Sequence, residues 1–143
     1  MRYLKLTFLL VPLTLLFGCF YKSSLYPSPG RNTIELFGDG RFEIFSGEFE
    51  NVSYYCLYDR KEDDGQVEGN IINYIEIAPY VYTVGTVGSG SFEEDSNSDS
   101  IYYTKVNYET GDIDQGTDLS LFSEEDASIF NDLIDSESPF KKK

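Results

Sequence analysis

Acidic side chains are the residues of this sequence best suited to chemistry, and one group of them lies close together. The group comprises Asp59, Glu62, Asp63 and Asp64. Two carboxyl groups held at a fixed separation can act as general acid and general base on a glycosidic bond. Gly65 follows the group, and the neighbouring residues offer no apolar wall that would raise a carboxyl pKa. We therefore interpret the group as a solvated turn and keep a carboxylate-dependent hydrolase as an alternative function.

A second acidic segment has the alternating oxygen ligands with which an EF-hand calcium loop begins. Asp95, Asn97 and Asp99 are its candidate metal ligands. The sixth position is Ser100 instead of Gly, and the twelfth is Val106 instead of Glu. The flanking residues also predict strands where an EF-hand has helices, so we predict no resident metal and no cofactor. A looser set of acids comprises Asp112, Asp114 and Asp118.

Histidine is absent from the chain, and this absence narrows the possible chemistry. The usual general base, the Ser-His-Asp and Cys-His arrangements, and most zinc and copper sites all require histidine. Serine is abundant, but no Gly-x-Ser-x-Gly elbow and no phosphate-binding Gly-Lys loop occurs. The sequence therefore predicts a protein that is not an enzyme.

The charge of the chain is strongly acidic, with 25 Asp and Glu against 11 Lys and Arg and a net charge of −14. Nucleic-acid binding needs a basic face that replaces condensed counterions, so we predict no nucleic-acid partner. Adsorption to anionic lipid is disfavoured for the same reason. The negative electrostatic field of such a chain suits a basic protein partner or a cation. The alternative explanation is that the negative charge serves solubility alone.

Residues 1–18 have the pattern of a signal peptide. Arg2 and Lys5 form a positive leader, and residues 6–16 are almost wholly apolar. This apolar run is too short for the roughly 20 residues that a membrane-spanning helix needs. The pattern predicts export of the chain and removal of the leader.

The end of this leader reads Leu16-Phe17-Gly18-Cys19 and resembles the lipobox of bacterial lipoproteins. In that family a Leu stands three positions before the cysteine, and a small residue directly precedes it. Phe17 departs from the family, which usually has a smaller residue there. The resemblance, which covers residues 1–19 only, implies cleavage after Gly18 and a diacylglycerol thioether on Cys19.

Two or more acyl chains anchor a protein durably, whereas one chain binds reversibly. The resemblance therefore places the chain on a cell membrane or an outer membrane, exposed outside the cytoplasm. An ordinary signal peptide followed by an incidental cysteine is the alternative. Lipidation of Cys19 would leave Cys56 as a lone thiol, either buried and inert or reactive.

The remaining chain divides into a tether, one domain and a tail. Residues 19–32 are rich in Ser, Pro and Gly and predict an extended lipidated tether. Residues 33–135 predict a mainly β domain, because they combine many aromatic residues with repeated turn signals. We expect six to eight antiparallel strands in a meander or a small barrel-like sheet, with one C-terminal helix. Residues 136–143 predict a frayed tail.

Turn residues and alternating apolar residues locate the individual strands. Gly38-Asp39-Gly40 predicts a hairpin turn, and Ser46-Gly47 allows another turn. Residues 66–77 predict one strand with Ile71, Ile75 and Ile77 on one side. The other predicted strands cover residues 33–37, 41–45, 48–58, 80–87 and 101–108. A stripe of tyrosines could stack on sugar or pack across strands; it comprises Tyr80, Tyr82, Tyr102, Tyr103 and Tyr108.

The C-terminal segment changes to helical periodicity. Ser123 has the character of an N-cap, and three acidic residues follow it in the first turn. Apolar residues then recur at intervals of three and four positions, as in one face of a helix. The pattern predicts a helix over residues 124–135 that covers one face of the sheet.

Overall fold

The computed structural model describes residues 26, 28–49, 51–62, 65–86 and 100–140. The domain is mainly β with one C-terminal α-helix, as the sequence predicts. Within these residues no helix is both long enough and apolar enough to cross a membrane. The strands are β1 (Thr33–Phe37), β2 (Phe42–Phe49), β3 (Val52–Asp59), β4 (Gln66–Glu68), β5 (Ile71–Ile77), β6 (Tyr80–Thr86), β7 (Ile101–Asn107) and β8 (Ile113–Gly116). A short 3-10 turn (Leu119–Leu121) precedes helix α1 (Glu124–Asp135).

The strands form two antiparallel meanders. The first sheet has the order β1-β2-β3-β4, and the second has the order β5-β6-β7-β8. The prediction of one strand over residues 66–77 is wrong, because the chain passes from the first sheet to the second at residues 69 and 70. Asn70 has a positive φ of 55°, a conformation that asparagine tolerates better than most residues.

The turn predicted at Ser46-Gly47 is also wrong. Both residues lie inside β2, where Ser46 pairs with Tyr55 and Gly47 pairs with Tyr54. The chain reverses instead near Asn51, which has a φ of 66°. The Tyr54 ring lies over Gly47, so a Cβ at this position would collide with the ring.

The second sheet is the middle layer of the domain, because it buries both of its faces. One face packs against the first sheet, and the other packs against α1. The core between the two sheets contains Phe37, Phe42, Ile44 and Leu57 from the first sheet, and Ile71, Val81 and Val106 from the second. The core under the helix contains Tyr82, Val84, Tyr103, Phe130 and Leu133.

Helix α1 begins and ends at the residues that the sequence predicts. The Ser123 hydroxyl accepts a hydrogen bond from the backbone N–H of Asp126 at 3.1 Å and so caps the first turn. At the other end, the Asn73 side chain on β5 donates to the Leu133 carbonyl at 2.8 Å. The amide also donates to the Ser136 hydroxyl at 2.8 Å. Both ends of the helix are thus held by polar groups.

The beginning of the tail packs on the domain, in contrast to the frayed tail that the sequence predicts. The Phe140 ring stacks on the Tyr55 ring, with 3.8 Å between their centroids. It also contacts Tyr74 at 5.6 Å. Aromatic stacking of this kind adds to the burial of apolar area. The Phe140 side chain therefore covers one side of the core between the two sheets.

The Phe130 side chain is the centre of the core under the helix, so its removal should strongly destabilise the fold. Its ring is fully buried and contacts the rings of Tyr82, Tyr103 and Phe122. We expect Phe130→Ala to lower the free energy of unfolding by about 3–5 kcal/mol in chemical denaturation. Ile134→Ala on the same helix is the control, because Ile134 is 41% exposed and should cost under about 1 kcal/mol. Equal losses for the two variants would contradict this account of the core.

Candidate functional site

Several residues that the sequence singles out lie outside the described part of the chain. They are the cleavage residue Gly18, the lipidation residue Cys19 and the calcium candidates Asp95, Asn97 and Asp99. Their roles stay predictions. Among the described residues, no group of three or more Asp, Glu, Cys or His side chains is arranged to hold a metal ion.

Asp59, the first residue of the acidic group, serves the fold. Its buried carboxylate accepts hydrogen bonds from Arg41 Nη2 at 2.7 Å and from Arg41 Nε at 3.0 Å. Burial opposes its ionisation, but the bonds from Arg41 and from the Lys61 backbone N–H outweigh that effect and hold the pKa of Asp59 below its usual value. Glu62 is exposed, and Asp63 and Asp64 lie outside the described residues.

The Arg41 side chain also joins the two sheets. Its guanidinium lies over the Phe42 ring at 4.9 Å and donates to the Thr110 carbonyl at 3.4 Å in the β7–β8 turn. Gly111 in that turn has a φ of 87°, and a Cβ there would collide with the guanidinium. The Arg41–Asp59 pair is therefore a structural ion pair at the sheet junction.

A different set of charged residues meets on the helix side of the second sheet. Lys105 on β7 lies 2.8 Å from Asp126 Oδ2 on α1, and the Tyr82 hydroxyl donates to Asp126 Oδ1 at 2.7 Å. Burial opposes ionisation of Asp126, but hydrogen bonds from Lys105, Tyr82 and Ser123 together hold its pKa below the usual value. Burial, followed by the bond to Asp126, raises the pKa of Tyr82. Asp126 is thus a buried, ionised acceptor whose bonding capacity is well satisfied.

This cluster borders a small cavity of about 140 Å³. The cavity is lined by Tyr80, Lys105, Asn107, Asp112 and Asp114. Strand register brings these residues together, because Tyr80 pairs with Asn107 and Lys105 pairs with Asp114. Residues directly opposite in neighbouring strands point to the same face of a sheet. The cavity therefore lies where β6, β7 and β8 end beside one another.

A tight turn between β7 and β8 positions Asp112. The Asn107 side-chain oxygen accepts hydrogen bonds from the backbone N–H groups of Glu109 and Thr110, at 3.0 and 3.1 Å. The Thr110 hydroxyl in turn donates to Asp112 Oδ2 at 2.7 Å. Asparagine commonly stabilises turns by bonding to the backbone ahead of it. The turn thus holds one cavity carboxylate in place without neutralising it.

The cavity carries an excess of negative charge. Lys105 is paired with Asp126, and within the described ranges no basic side chain forms an ion pair with Asp112 or Asp114. The predicted set of Asp112, Asp114 and Asp118 does not lie together. Asp118 caps the 3-10 turn, where its carboxylate accepts a hydrogen bond from the Ser120 N–H at 2.9 Å. Two carboxylates next to one neutralised ammonium group favour the approach of a cation.

An exposed apolar strip lies beside the cavity. Ile75 and Ile77 on the edge strand β5 pair with Tyr82 and Tyr80, so their side chains share the helix side of the sheet. Helix α1 does not cover them, and they are 40% and 43% exposed. The prediction that they share a side with Ile71 is wrong, because a register shift between Ile71 and Asn73 reverses the alternation.

The tyrosine stripe divides between the two faces of the second sheet. Tyr82 and Tyr103 contact Phe130 and belong to the core under the helix. Tyr108 lies on the opposite side and packs against the core between the sheets. Of the tyrosines in the stripe that face the helix, only Tyr80 lines the cavity. Packing therefore accounts for most of the stripe, and the Lys105 ammonium lies over the Tyr80 ring, 4.4 Å from its centroid.

Glu68 is a buried carboxyl group at the boundary between the two sheets. It extends from β4 of the first sheet, and its carboxyl accepts a hydrogen bond from the Thr83 hydroxyl of the second sheet. Its other oxygen, Oε1, has no hydrogen-bond partner among the described residues. Burial raises the pKa of Glu68 to about 7, although hydrogen bonds from Thr83 and Thr104 oppose the rise. Gly85 makes room for it, since a Cβ there would come within 2.5 Å of Oε1.

Cys56 is buried on the first sheet. Burial raises the pKa of its thiol, while a backbone hydrogen bond at Asn70 opposes the rise. A thiol that is both shielded and protonated is a poor nucleophile. These observations favour the buried and inert alternative over the reactive one.

Sequence reasoning missed Lys105 and Asn107 as members of the cavity. Lys105 is the only charged residue of β7, where it interrupts a strand of tyrosine, threonine and valine, and this interruption was a usable signal. Asn107 opens the turn before Gly111, a pattern that also marks a constrained backbone.

Comparison of the chain with protein-family models, with curated proteins and with solved structures finds no match.

Substitution of Glu68 by glutamine should change how stability depends on pH. The folded pKa of about 7 lies above the usual 4.5, so the stability that this group contributes is present below about pH 4.5 and is lost as pH rises through about 7. Glutamine is neutral like the protonated acid and avoids the loss. The avoided loss is on the order of 3 kcal/mol at about 1.4 kcal/mol per pKa unit.

The measurement is the free energy of unfolding of both proteins at about pH 5 and about pH 8. We expect Glu68→Gln to be the more stable protein at the higher pH and close to wild type at the lower one. Glu62→Gln is the matched control, because Glu62 is exposed and should keep the wild-type profile. If the stability of Glu68→Gln depended on pH as that of wild type does, ionisation of Glu68 would cost the folded protein no stability.

Proposed function

We propose that this protein is a lipid-anchored component of the bacterial cell envelope whose acidic β domain binds a basic protein partner and catalyses no reaction. The sharper form of the proposal is an inhibitor or immunity-type protein that neutralises its partner. The lipobox-like residues around Cys19 support the anchor. The uncompensated acidic charge supports the choice of partner.

The observation that carries the binding proposal is this excess of negative charge. Without Arg2 and Lys5 of the leader, nine Lys and Arg face 25 Asp and Glu, so the processed chain has a net charge of −16. Two of the acids, Asp112 and Asp114, line a cavity next to exposed isoleucines. Charge alone serves solubility, whereas exposed isoleucines beside the carboxylates would give a partner an apolar contact within the acidic surface.

The tether determines where the domain would act. Residues 20–32 separate Cys19 from β1, but Tyr26 and Asn32 already contact the domain, so residues 20–25 form the tether and reach at most about 20 Å. An acidic domain is repelled by anionic lipid, so the anchor must supply the attachment while the charge keeps the domain off the surface. A basic partner within this distance of the bilayer would meet the domain at a high effective concentration.

Substitution of Cys19 tests the anchor. We expect wild-type protein to lose residues 1–18 and to incorporate labelled fatty acid, as measured by intact mass and by metabolic labelling. Cys19→Ala should keep the leader and carry no acyl mass, because the modified sulfur is what directs lipidation and cleavage. Cys56→Ala is the matched control and should behave as wild type, since Cys56 is buried in the domain.

This experiment uses mass as its readout because an uncleaved leader can itself hold a protein on a membrane. A wild-type product that begins elsewhere than at Cys19, or that carries no acyl group, would refute the anchor. In that case the ordinary signal peptide would be the correct alternative.

The binding proposal predicts a salt-sensitive basic partner. We expect detergent-solubilised wild-type protein to retain a basic protein from envelope extract at about 50 mM salt and to release it at about 500 mM, where the Debye length shortens severalfold. The control bait carries residues 1–32 fused to a neutral reporter and should retain nothing. Failure to retain any basic protein at low salt would count against the proposal.

A further inference from the structure

We propose that residues 66–70, which comprise β4 and the link to β5, form a proton-controlled latch between the two sheets. Glu68 holds the latch closed while its buried carboxyl is protonated, and loss of the proton releases the segment and uncovers Cys56. The opening is local, so it is distinct from a loss of overall stability. It concerns the domain alone and does not depend on the proposed function.

A polar cluster holds this segment to the second sheet. Glu68 extends from β4, and its carboxyl accepts a hydrogen bond from the Thr83 hydroxyl on β6. The Gln115 side chain on β8 donates to the Val67 carbonyl at 2.8 Å and to the Thr104 hydroxyl at 3.2 Å. Of the groups in this cluster, Glu68 is the one whose bonding a proton can change.

The segment is held less firmly by its own sheet. Strand β4 has three residues and pairs with β3 at two positions, with a register shift between them. Gly69 and Asn70 follow, and Asn70 has a positive φ of 55°. Short, irregularly paired segments open at a lower free energy than the central strands of a sheet. Residues 66–70 can therefore separate from the second sheet while β5, β6 and β7 stay paired.

The same segment covers the Cys56 thiol on β3. Cys56 is 5% exposed, the Asn70 backbone bonds its sulfur, and a Cβ at Gly69 would lie 3.8 Å from that sulfur. The segment thus lies between a buried acid, which it carries, and a buried thiol, which it shields. Movement that takes Glu68 out of the core also takes Gly69 and Asn70 away from the sulfur.

Among the described residues, nothing around Glu68 balances a negative charge. Its Oε1 has no hydrogen-bond partner there, and no ion pair joins Glu68 to a basic side chain. Thr83, Gly85 and Thr104 lie against it from the second sheet and do not titrate. Cys56 on β3 does titrate, and the charge of Glu68 raises its pKa. An unbalanced carboxylate is costly in the core, whereas water solvates it once the segment opens.

The direction of the response follows from the two states of the carboxyl. Burial raises the pKa of Glu68 to about 7 in the closed domain, whereas the solvated carboxyl of the open segment titrates near its usual 4.5. The closed form therefore binds the proton more tightly, and the open population grows as pH rises from about 5 to about 8. The thiol is shielded under acidic conditions and becomes reachable under neutral and basic ones.

The test measures how fast methyl methanethiosulfonate modifies Cys56 in the purified full-length protein in detergent. The mass of the peptide that contains Cys56 reports the reaction, so the state of Cys19 does not affect it. Wild type is compared with Glu68→Gln at about pH 5.5 and about pH 8, because the thiol's own dependence on pH cancels between two proteins at one pH. We expect the ratio of the wild-type rate to the variant rate to rise about tenfold or more between the two values.

Two comparisons exclude other effects of charge. Glu62→Gln removes an exposed acid from the turn before β4 and should follow wild type. A negative Glu68 in a closed domain would raise the pKa of the thiol and slow its reaction, so a direct electrostatic effect has the opposite sign. A ratio that does not rise with pH would overturn the inference.

Urea separates the latch from global unfolding. A local opening exposes little surface, so the wild-type rate at about pH 8 should stay nearly constant up to about 1 M urea. A rate that climbs with urea as steeply as the unfolding equilibrium does would show that the whole domain opens, and the latch would be rejected.

Thr83→Val keeps the inference testable should Glu68→Gln fail to fold. Valine has nearly the same shape as threonine and lacks the hydroxyl that stabilises the Glu68 carboxylate. The modification rate should therefore rise more steeply with pH in this variant than in wild type. An equal or a shallower rise would show that Glu68 does not control the opening.

Discussion

The burial of both faces of strands β6 and β7 is the constraint on which the rest of this structure depends. Val81 and Val106 pair across these strands and face the first sheet, while Tyr82 and Tyr103 face the helix. A sheet with one solvated face requires one covering layer, whereas a sheet buried on both faces requires two. The first meander is one cover, and α1 is the other. The three layers therefore depend on one another for their stability.

The same constraint determines where polar groups are tolerated. Thr83 and Thr104 face the first sheet and place hydroxyls in its core, where they meet the carboxyl of Glu68. On the helix side, Lys105 reaches Asp126, which Tyr82 also bonds. Buried charges are costly unless they are paired and hydrogen-bonded. Each layer boundary thus has buried polar connections that give the packing a defined register.

The cavity exists because the helix is shorter than the face that it covers. Helix α1 contacts Lys105 through Asp126 in its first turn and contacts Asn73 through Leu133 in its last turn. The end of the sheet that carries Ile77 and Tyr80 extends beyond this cover, and the β7–β8 turn supplies carboxylates at its margin. Apolar and acidic side chains meet at this one margin, while the opposite end of the helix is closed by Asn73 and Ser136. The exposure of these apolar and acidic side chains is a direct result of this partial coverage.

The sequence by itself was sufficient for the features that depend on neighbouring residues. The Gly38-Asp39-Gly40 hairpin, the helix from Glu124 to Asp135 and its Ser123 cap all follow from local patterns, and the structure confirms them. The lipobox-like sequence that ends at Cys19 is also a local signal, and the lipidation that it implies stays a prediction. Only the tertiary structure decided which sheet each strand joins, which side Ile75 and Ile77 face, and that Asp112 and Asp114 share a cavity with Tyr80. Strand register and a single bulge determine these features, and both result from packing between distant segments that leaves no local trace in the chain.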